Sequence, residues 1–319
     1  MAKAEQIKAM INSYLKRDDE QFVTVALQVA ANEAKKGHGA LANEIRFLID
    51  QRDRGPVSVV SISGDLADLV QEIRPSADVT SFVVSEGLRS RIQRVVKEFF
   101  QADKLAKHGM QNRRKVLLSG PPGTGKTLTA AVLAHQTGLP LYVIQVDRLI
   151  TKYLGETGAK LRQIFALIRK SPGVYLFDEF DEFDAIGAQR GLESDVGEMR
   201  RILNALLQFI EADDSRSIIV AATNNIDALD VALFRRFDDL LRYAKPDKKE
   251  IETLIRNRLG AFSGKFKMDP VVTAAQGLSH AEITQACDDS MKETILIDKS
   301  TVTQKLLLQM LAERKSVYS

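Results

Sequence analysis

Gly120-Pro121-Pro122-Gly123-Thr124-Gly125-Lys126-Thr127 constrains this chain more than any other stretch, because G-x-x-x-x-G-K-T is a backbone pattern that closes around phosphate. Glycines let successive N–H groups turn inward on phosphate oxygens, and a helix starting directly afterwards adds its positive dipole end. The run Lys115-Val116-Leu117-Leu118, ending at Ser119, is a short apolar strand leading in. Residues 127–136, with Leu128, Ala131, Val132 and Ala134, have the spacing of the helix leading out. In that setting Lys126 neutralises the β- and γ-phosphates of a nucleotide, and the Thr127 hydroxyl is a ligand for Mg²⁺.

A chain of 319 residues exceeds one average domain and predicts two or three compact units. An apolar fraction of 45% is that of an ordinary globular protein, and a net charge of +3 gives no argument for nucleic acid or membrane. The single cysteine, Cys287, excludes an internal disulfide and is expected to fill a helix face as a small buried apolar residue. Met1-Ala2-Lys3-Ala4-Glu5 carries no apolar signal region, and no run is long enough to cross a bilayer. The expectation is a soluble cytoplasmic protein.

Along the chain the pattern changes three times. Ile7, Met10, Ile11, Tyr14 and Leu15, then Phe22, Val25, Ala26, Val29 and Ala30, then Leu41, Ile45, Leu48 and Ile49, form three helical stripes. They predict a small N-terminal helical domain over 1–52 with a solvated charged face. Residues 53–81 are expected to be a linker, with a strand at 57–62 and a break at Arg74-Pro75-Ser76-Ala77-Asp78. From Phe82 onward strands and helices alternate: a helix marked by Leu88, Ile92, Val95, Val96 and Phe99, strands at 139–144, 174–177 and 218–222, and helices at 161–169 and 199–210. That order is the mark of an α/β domain over 82–243, a parallel sheet with helices on both faces. After Lys245-Pro246-Asp247 the pattern is purely helical, from Leu254, Ile255 and Leu259 to 306–311, and predicts a C-terminal helical lid over 244–319.

Three further segments bear on chemistry. Val174-Tyr175-Leu176-Phe177-Asp178-Glu179 is a strand ending in two acids. In P-loop enzymes an acid so placed holds the Mg²⁺ shell, which suits Asp178, while Glu179 is positioned to orient or deprotonate an attacking water. Asn224, in Ala221-Ala222-Thr223-Asn224-Asn225, follows the next strand, where an amide can bridge that water and the γ-phosphate. Arg235 and Arg236, within Asp230-Val231-Ala232-Leu233-Phe234-Arg235-Arg236-Phe237-Asp238, are either an ion-paired surface or arginine fingers that reach a neighbouring subunit's γ-phosphate.

These motifs, in this order, resemble the AAA ATPases, and the resemblance covers the chain from about Phe82 onward. It implies ATP held between the α/β domain and the lid, and a homo-oligomeric ring, usually hexameric. By the same resemblance Asn224 is sensor 1, Arg235 and Arg236 are the fingers, and Gly277-Leu278-Ser279-His280-Ala281-Glu282 is the lid's nucleotide-contacting turn, with His280 and Ala281 at the site. Ala281 stands where many wider AAA+ relatives carry a sensor-2 arginine, a departure that matches the narrow-sense family and not clamp loaders or replication initiators. Lys152-Tyr153-Leu154-Gly155-Glu156-Thr157 is similar to the first pore loop of protein-remodelling members, whose aromatic ring grips an extended polypeptide. The acidic, glycine-containing stretch 191–197 stands where a second pore loop is expected.

The resemblance therefore implies a protein unfoldase or remodeller that threads a protein substrate, with residues 1–52 choosing that substrate or a partner. No H-E-x-x-H motif is present, so any proteolysis belongs to another polypeptide. The chain as a whole resembles stand-alone bacterial AAA ATPases paired with a subtilisin-like serine protease, which implies a cellular-defence or plasmid-maintenance module. The alternative is an ATP-dependent switch or loader acting on nucleic acid or on a partner complex without threading. Near-balanced charge and the absence of a basic stripe with interleaved aromatics disfavour it, and Arg89, Arg91, Arg94 and Lys97 read as a solvated helix face.

Overall fold

The computed structural model describes residues 8, 10, 12–13, 19–35, 66, 68–73, 82–149, 154–180, 193–225 and 234–316. It divides into two units, Met1–Val60 and Ser61–Ser319. In the first, α1 (Asp19–Lys35) buries Ala26, Val29 and Ala30 on one face, the second of the three predicted stripes. The first stripe is helical where it is described. The third, with the predicted strand at 57–62 and the break at 74–78, lies outside the described residues.

In the second unit, β1 (Val70–Ile73), α2 (Glu86–Phe100), α3 (Ala102–Ala106), β2 (Lys115–Ser119), α4 (Lys126–Thr137), β3 (Leu141–Ile144), α5 (Val146–Leu149), α6 (Leu154–Lys170), β4 (Val174–Phe177), α7 (Glu193–Ala212), β5 (Ile218–Thr223) and β6 (Asp239–Arg242) form the α/β part. Among the described residues the sheet has six strands in the order β1-β3-β4-β5-β2-β6. All pairings are parallel except β1 with β3. The central strands β4 and β5 are buried at every position, which is why they read as unbroken apolar runs and not as alternating ones.

Successive residues still point to opposite faces, so each strand serves two layers. One face carries Val116, Leu118, Val174, Leu176, Val220 and Ala222, packed under Leu88, Ile92 and Val95 of α2 and Ala130, Leu133 and Ala134 of α4. On the other, Phe165 of α6 stacks on Phe177 of β4 at 6.2 Å and on Phe209 of α7 at 5.2 Å. Helices therefore cover both faces, as the alternating pattern predicts. The basic residues of α2 bear out the solvated-face reading at Arg89, Arg94 and Lys97, which are exposed, while Arg91 pairs with Asp239 of β6.

The C-terminal helices α8 (Lys248–Leu259), α9 (Met268–Ala275), α10 (His280–Leu296) and α11 (Gln304–Ser316) share their own core of Ile251, Leu254, Ile255, Val271, Ile283, Ala286, Cys287, Leu307 and Leu311. Two capping boxes start this bundle, Asp247 with Glu250 on α8 and Ser279 with Glu282 on α10, each satisfying backbone donors that the first turn leaves unpaired. The purely helical pattern has one addition, a bridge between Ser263 and Val302. Cys287 is buried in this core, and burial pushes its thiol up to about 12, so it stays protonated and inert.

Candidate functional site

The strand order brings three chain segments to one edge of the sheet. β5 lies between β2 and β4, so the residues following all three strands are neighbours. Pairing continues past the strand ends: Gly120 N–H donates to Thr223 O at 3.3 Å and Phe180 N–H to Ala222 O at 2.8 Å. The loops carrying Lys126, Asp178 and Asn224 are thereby registered by backbone, not by side-chain chance.

Three glycines shape the first loop. Gly120, Gly123 and Gly125 have φ of 152°, 71° and 99°, which side-chain-bearing residues rarely adopt. Thr124, buried, closes the turn by donating to Pro121 O at 2.8 Å. The buried Lys126 ammonium donates to Gly120 O at 2.7 Å, Pro121 O at 3.0 Å and Asn224 Oδ1 at 2.8 Å, which engages the three protons it carries. Thr127 Oγ1 donates to Asp178 Oδ2 at 2.7 Å, and the other Asp178 oxygen accepts from Glu179 N–H at 3.0 Å.

Glu179 itself has φ of 54°, in the left-handed region that only glycine enters freely. Its side chain is exposed, next to Asp178 at the end of β4.

Ser119 and Tyr243 support the floor of the loop. Tyr243 N–H donates to Ser119 O at 2.6 Å, and its hydroxyl shares a 2.5 Å hydrogen bond with Thr129 of α4. A Cβ on Gly120 would stand 2.4 Å from Tyr243 O, so glycine is required there by space as well as by φ.

The helical bundle closes the site from above. Ala281 N–H donates to Gly123 O at 2.9 Å, and a Cβ on Gly123 would meet Ser279 Oγ at 2.7 Å. Lys245 Nζ also donates to Gly277 O at 2.6 Å. Between bundle and loop lies a cavity of ≈ 510 Å³, large enough for a nucleotide. It is lined by Gly123 to Leu128, Asp178, Glu179, Asn224, His280 and Ala281, all positions that the sequence brings forward except Leu128, which it marks only as helix.

Other lining residues are not legible in the sequence. Phe82 and Val83 precede α2, Leu254 and Arg258 lie on α8, and Thr284 and Gln285 lie on α10. Their signal is the spacing of four between Leu254 and Arg258, and between His280 and Thr284, which puts each pair on one helix face. Arg258 is held by Asp288 through a two-pronged ion pair of 2.5 and 2.7 Å.

Arg235 and Arg236 do not line this cavity. Arg235 is exposed, and Arg236 pairs with Glu211 at the end of α7. Asp238 of the same segment is structural, its carboxylate accepting from Arg114 N–H and Lys115 N–H at 2.9 Å each. Of the predicted pore loop, Lys152 and Tyr153 lie outside the described residues, while Leu154 and Gly155 are the opening residues of α6. The predicted second pore loop at 191–197 overlaps the start of α7 at Glu193, with 191–192 outside the described residues.

A glycine loop on a helix N-terminus, an acid pair and an amide at adjacent ends of a parallel sheet define a P-loop nucleotide hydrolase. Residues 116–244 match the family described as "ATPase family associated with various cellular activities (AAA)". The chain is 35% identical to "Uncharacterized AAA family ATPase y4kL" of Sinorhizobium fredii, over 96% of this chain and 93% of that protein. It is 31% identical to "ATP-dependent zinc metalloprotease FtsH 3" of Sphaerobacter thermophilus, over 59% of this chain and 39% of the relative. It is also 34% identical to "Proteasome-activating nucleotidase" of Methanosphaerula palustris, over 62% of this chain and 49% of the relative. The chain thus spans less than half of the latter two. It belongs to the AAA family and is an ATP-binding, ATP-hydrolysing enzyme. Among the described residues no helix is long and apolar enough to cross a membrane.

Proposed function

We propose that this chain is an ATP-driven protein unfoldase or remodeller acting as a homo-oligomeric, hexameric ring in the cytoplasm. The observation that carries the catalytic part is the convergence of Lys126, Thr127, Asp178, Glu179 and Asn224 on one cavity. Lys126 exchanges its contacts with Gly120, Pro121 and Asn224 for the β- and γ-phosphates, while backbone N–H groups from Gly123 to Thr127 cradle the chain of phosphates. Glu179 orients the attacking water and takes its proton, and Asn224 holds that water against the γ-phosphate. The hydroxyl–carboxylate pair Thr127–Asp178 is a hard oxygen donor set suited to Mg²⁺, which when bound neutralises phosphate charge.

Arg235 and Arg236 complete the site of the neighbouring subunit. Their position outside their own chain's cavity supports this reading. Tyr153 grips the polypeptide in the pore, and residues 1–52 select it. Two relatives are named for a protease and for proteasome activation, which supports a protein substrate. A subtilisin-like serine protease partner, in bacterial defence or plasmid maintenance, is the finest part of the proposal and rests on resemblance alone.

The test is a pair of variants. Glu179→Gln is expected to bind ATP, assemble and hold substrate without turnover, so a pull-down in ATP retains the bound protein. Tyr153→Ala is expected to keep ATP hydrolysis and lose processing of a folded test protein. Normal processing by Tyr153→Ala rules out threading, and substantial hydrolysis by Glu179→Gln removes Glu179 from catalysis.

A further inference from the structure

Tyr243, the first residue after β6, touches both ends of the phosphate loop. At the start of the loop its N–H donates to Ser119 O at 2.6 Å, and its carbonyl oxygen stands 2.4 Å from where a Cβ on Gly120 would be. At the far end the contact runs through Thr129 of α4, which is fully buried. The Thr129 hydroxyl donates to Gly125 O at 2.9 Å and lies 2.5 Å from the Tyr243 hydroxyl. Counting protons fixes the direction. A carbonyl only accepts, so the one Thr129 proton goes to Gly125 and the phenol is the donor to Thr129. Burial pushes the Tyr243 phenol well above its ordinary range, so that proton stays in place at any working pH.

The relay ends on one peptide plane. Gly125 O also accepts the Thr129 N–H at 2.9 Å, the bond that opens α4. The peptide joining Gly125 to Lys126 is planar and trans, so a carbonyl held toward the body of α4 turns the Lys126 N–H the opposite way, out of the helix start that borders the cavity. A threonine hydroxyl bonded to the carbonyl four residues back is ordinary in helices. Here the hydroxyl is itself held by a second donor from another strand's end, which keeps it from rotating away. The loop needs such a hold, because Gly120, Gly123 and Gly125 leave its backbone easy to distort.

We propose that the Tyr243 hydroxyl, acting through Thr129, is a positioning group for phosphate binding: it holds the Gly125–Lys126 peptide in its phosphate-receiving orientation before the nucleotide arrives. The proposal rests on the reading of residues 120–127 as the phosphate cradle. A loop ordered in advance loses less conformational freedom on binding. Bound phosphate orders the same loop by itself, so the relay serves affinity and not the chemical step.

Tyr243→Phe removes one oxygen and keeps the ring. In equilibrium titration of the full chain it is expected to weaken ATP about fivefold, the scale of one net hydrogen bond, with the matching loss in turnover falling on KM and not on kcat. Inorganic tripolyphosphate is expected to weaken by the same factor, since the relay ends on the loop. Thr129→Val should lose at least as much, and Thr129→Ser, which keeps the hydroxyl, should stay near wild type. Adding Tyr243→Phe to Thr129→Val should change affinity no further, because the relay is already cut. Unchanged affinity in Tyr243→Phe overturns the proposal even with a lowered melting temperature, since the hydroxyl then serves the fold alone. A loss in kcat with KM intact, or in ATP with tripolyphosphate untouched, overturns it as well, and so do losses that multiply in the double variant. Should Thr129→Val not fold, Tyr243→Phe and Thr129→Ser decide: loss in the first with wild-type binding in the second supports the proposal, and any other pairing overturns it. Lys126→Ala separates the two levels. It is expected to lose both ATP and tripolyphosphate, and if it binds them normally the loop itself is misread, whatever Tyr243 does.

Discussion

The Lys126 ammonium donates a 2.8 Å hydrogen bond to Asn224 Oδ1, joining the phosphate loop to the end of β5 across 98 positions of sequence. On the proposed reading, a nucleotide that draws Lys126 onto its phosphates weakens this contact and turns the Asn224 amide toward the attacking water. Asn224→Ala is therefore expected to bind ATP within a few-fold of wild type and to lose roughly 10² in kcat, the scale of one lost polar contact to the transition state. Titration together with steady-state turnover checks it. A large loss of affinity with kcat intact would place Asn224 in binding instead.

Glu179, the proposed catalytic base, has a left-handed backbone at φ of 54°. Such strain costs on the order of 1 kcal/mol for a side-chain-bearing residue. Glu179→Gly is expected to abolish hydrolysis and raise the melting temperature by about 2 °C. Glu179→Gln removes the charge but keeps the backbone demand, so any rise it shares with the glycine variant reflects relief of repulsion with Asp178. The excess in glycine alone reports the strain, and no excess would mean that the turn is relaxed.

Arg236 is held by Glu211 of its own chain, with both side chains substantially exposed. An exposed pair of this kind contributes at most about 1 kcal/mol, weak enough to be given up for a phosphate on a neighbour. Mixing Arg236→Ala subunits with Lys126→Ala subunits should restore hydrolysis above either parent, because some interfaces then carry an intact loop facing an intact arginine. Activity no higher than the sum of the two parents at every ratio would exclude shared sites.

The phosphate end of the site was legible because it is local: one loop, one strand end with two acids, and one amide. The end of the cavity walled by the bundle was not, since Leu254 and Arg258 meet His280 and Thr284 only when two helices of the bundle pack. His280 and Ala281 came into view through family resemblance, and Phe82 and Val83 through the structure alone. The fold shows the same division. The strands β2, β4 and β5 are apolar runs whose identity is intrinsic, whereas Val-Gln-Glu-Ile of β1 and Asp-Leu-Leu-Arg of β6 are half polar. They become strands by pairing, β1 at the antiparallel edge and β6 beside β2, where Asp238 receives the Arg114 and Lys115 N–H groups.

Arg114 and Asp213 form a buried ion pair under the start of β2, with side-chain exposures of 9% and 0%. Asp213 also accepts from Ser215 Oγ at 3.0 Å, and its carbonyl accepts from Arg114. Asp213→Ala strands a buried guanidinium and is expected to cost about 3–5 kcal/mol, measured by urea denaturation. Asp213→Asn keeps an acceptor and should cost less. A loss below 1 kcal/mol in the alanine variant would mean that water reaches Arg114.

Burial lowers the pKa of His280 below its ordinary 6.5, since desolvation penalises the imidazolium. The unfolded chain then binds this proton at a higher pH than the folded one does. Stability is full above the unfolded value and falls as the pH drops through about 6.5, levelling off once the folded form also protonates. One proton sets the slope at no more than about 1.4 kcal/mol per pH unit. His280→Asn cannot titrate, so the difference between wild type and variant in urea-denaturation free energy should shift against the wild type between about pH 7 and pH 5. Parallel pH profiles for the two proteins would show that the imidazole reaches solvent in the folded chain.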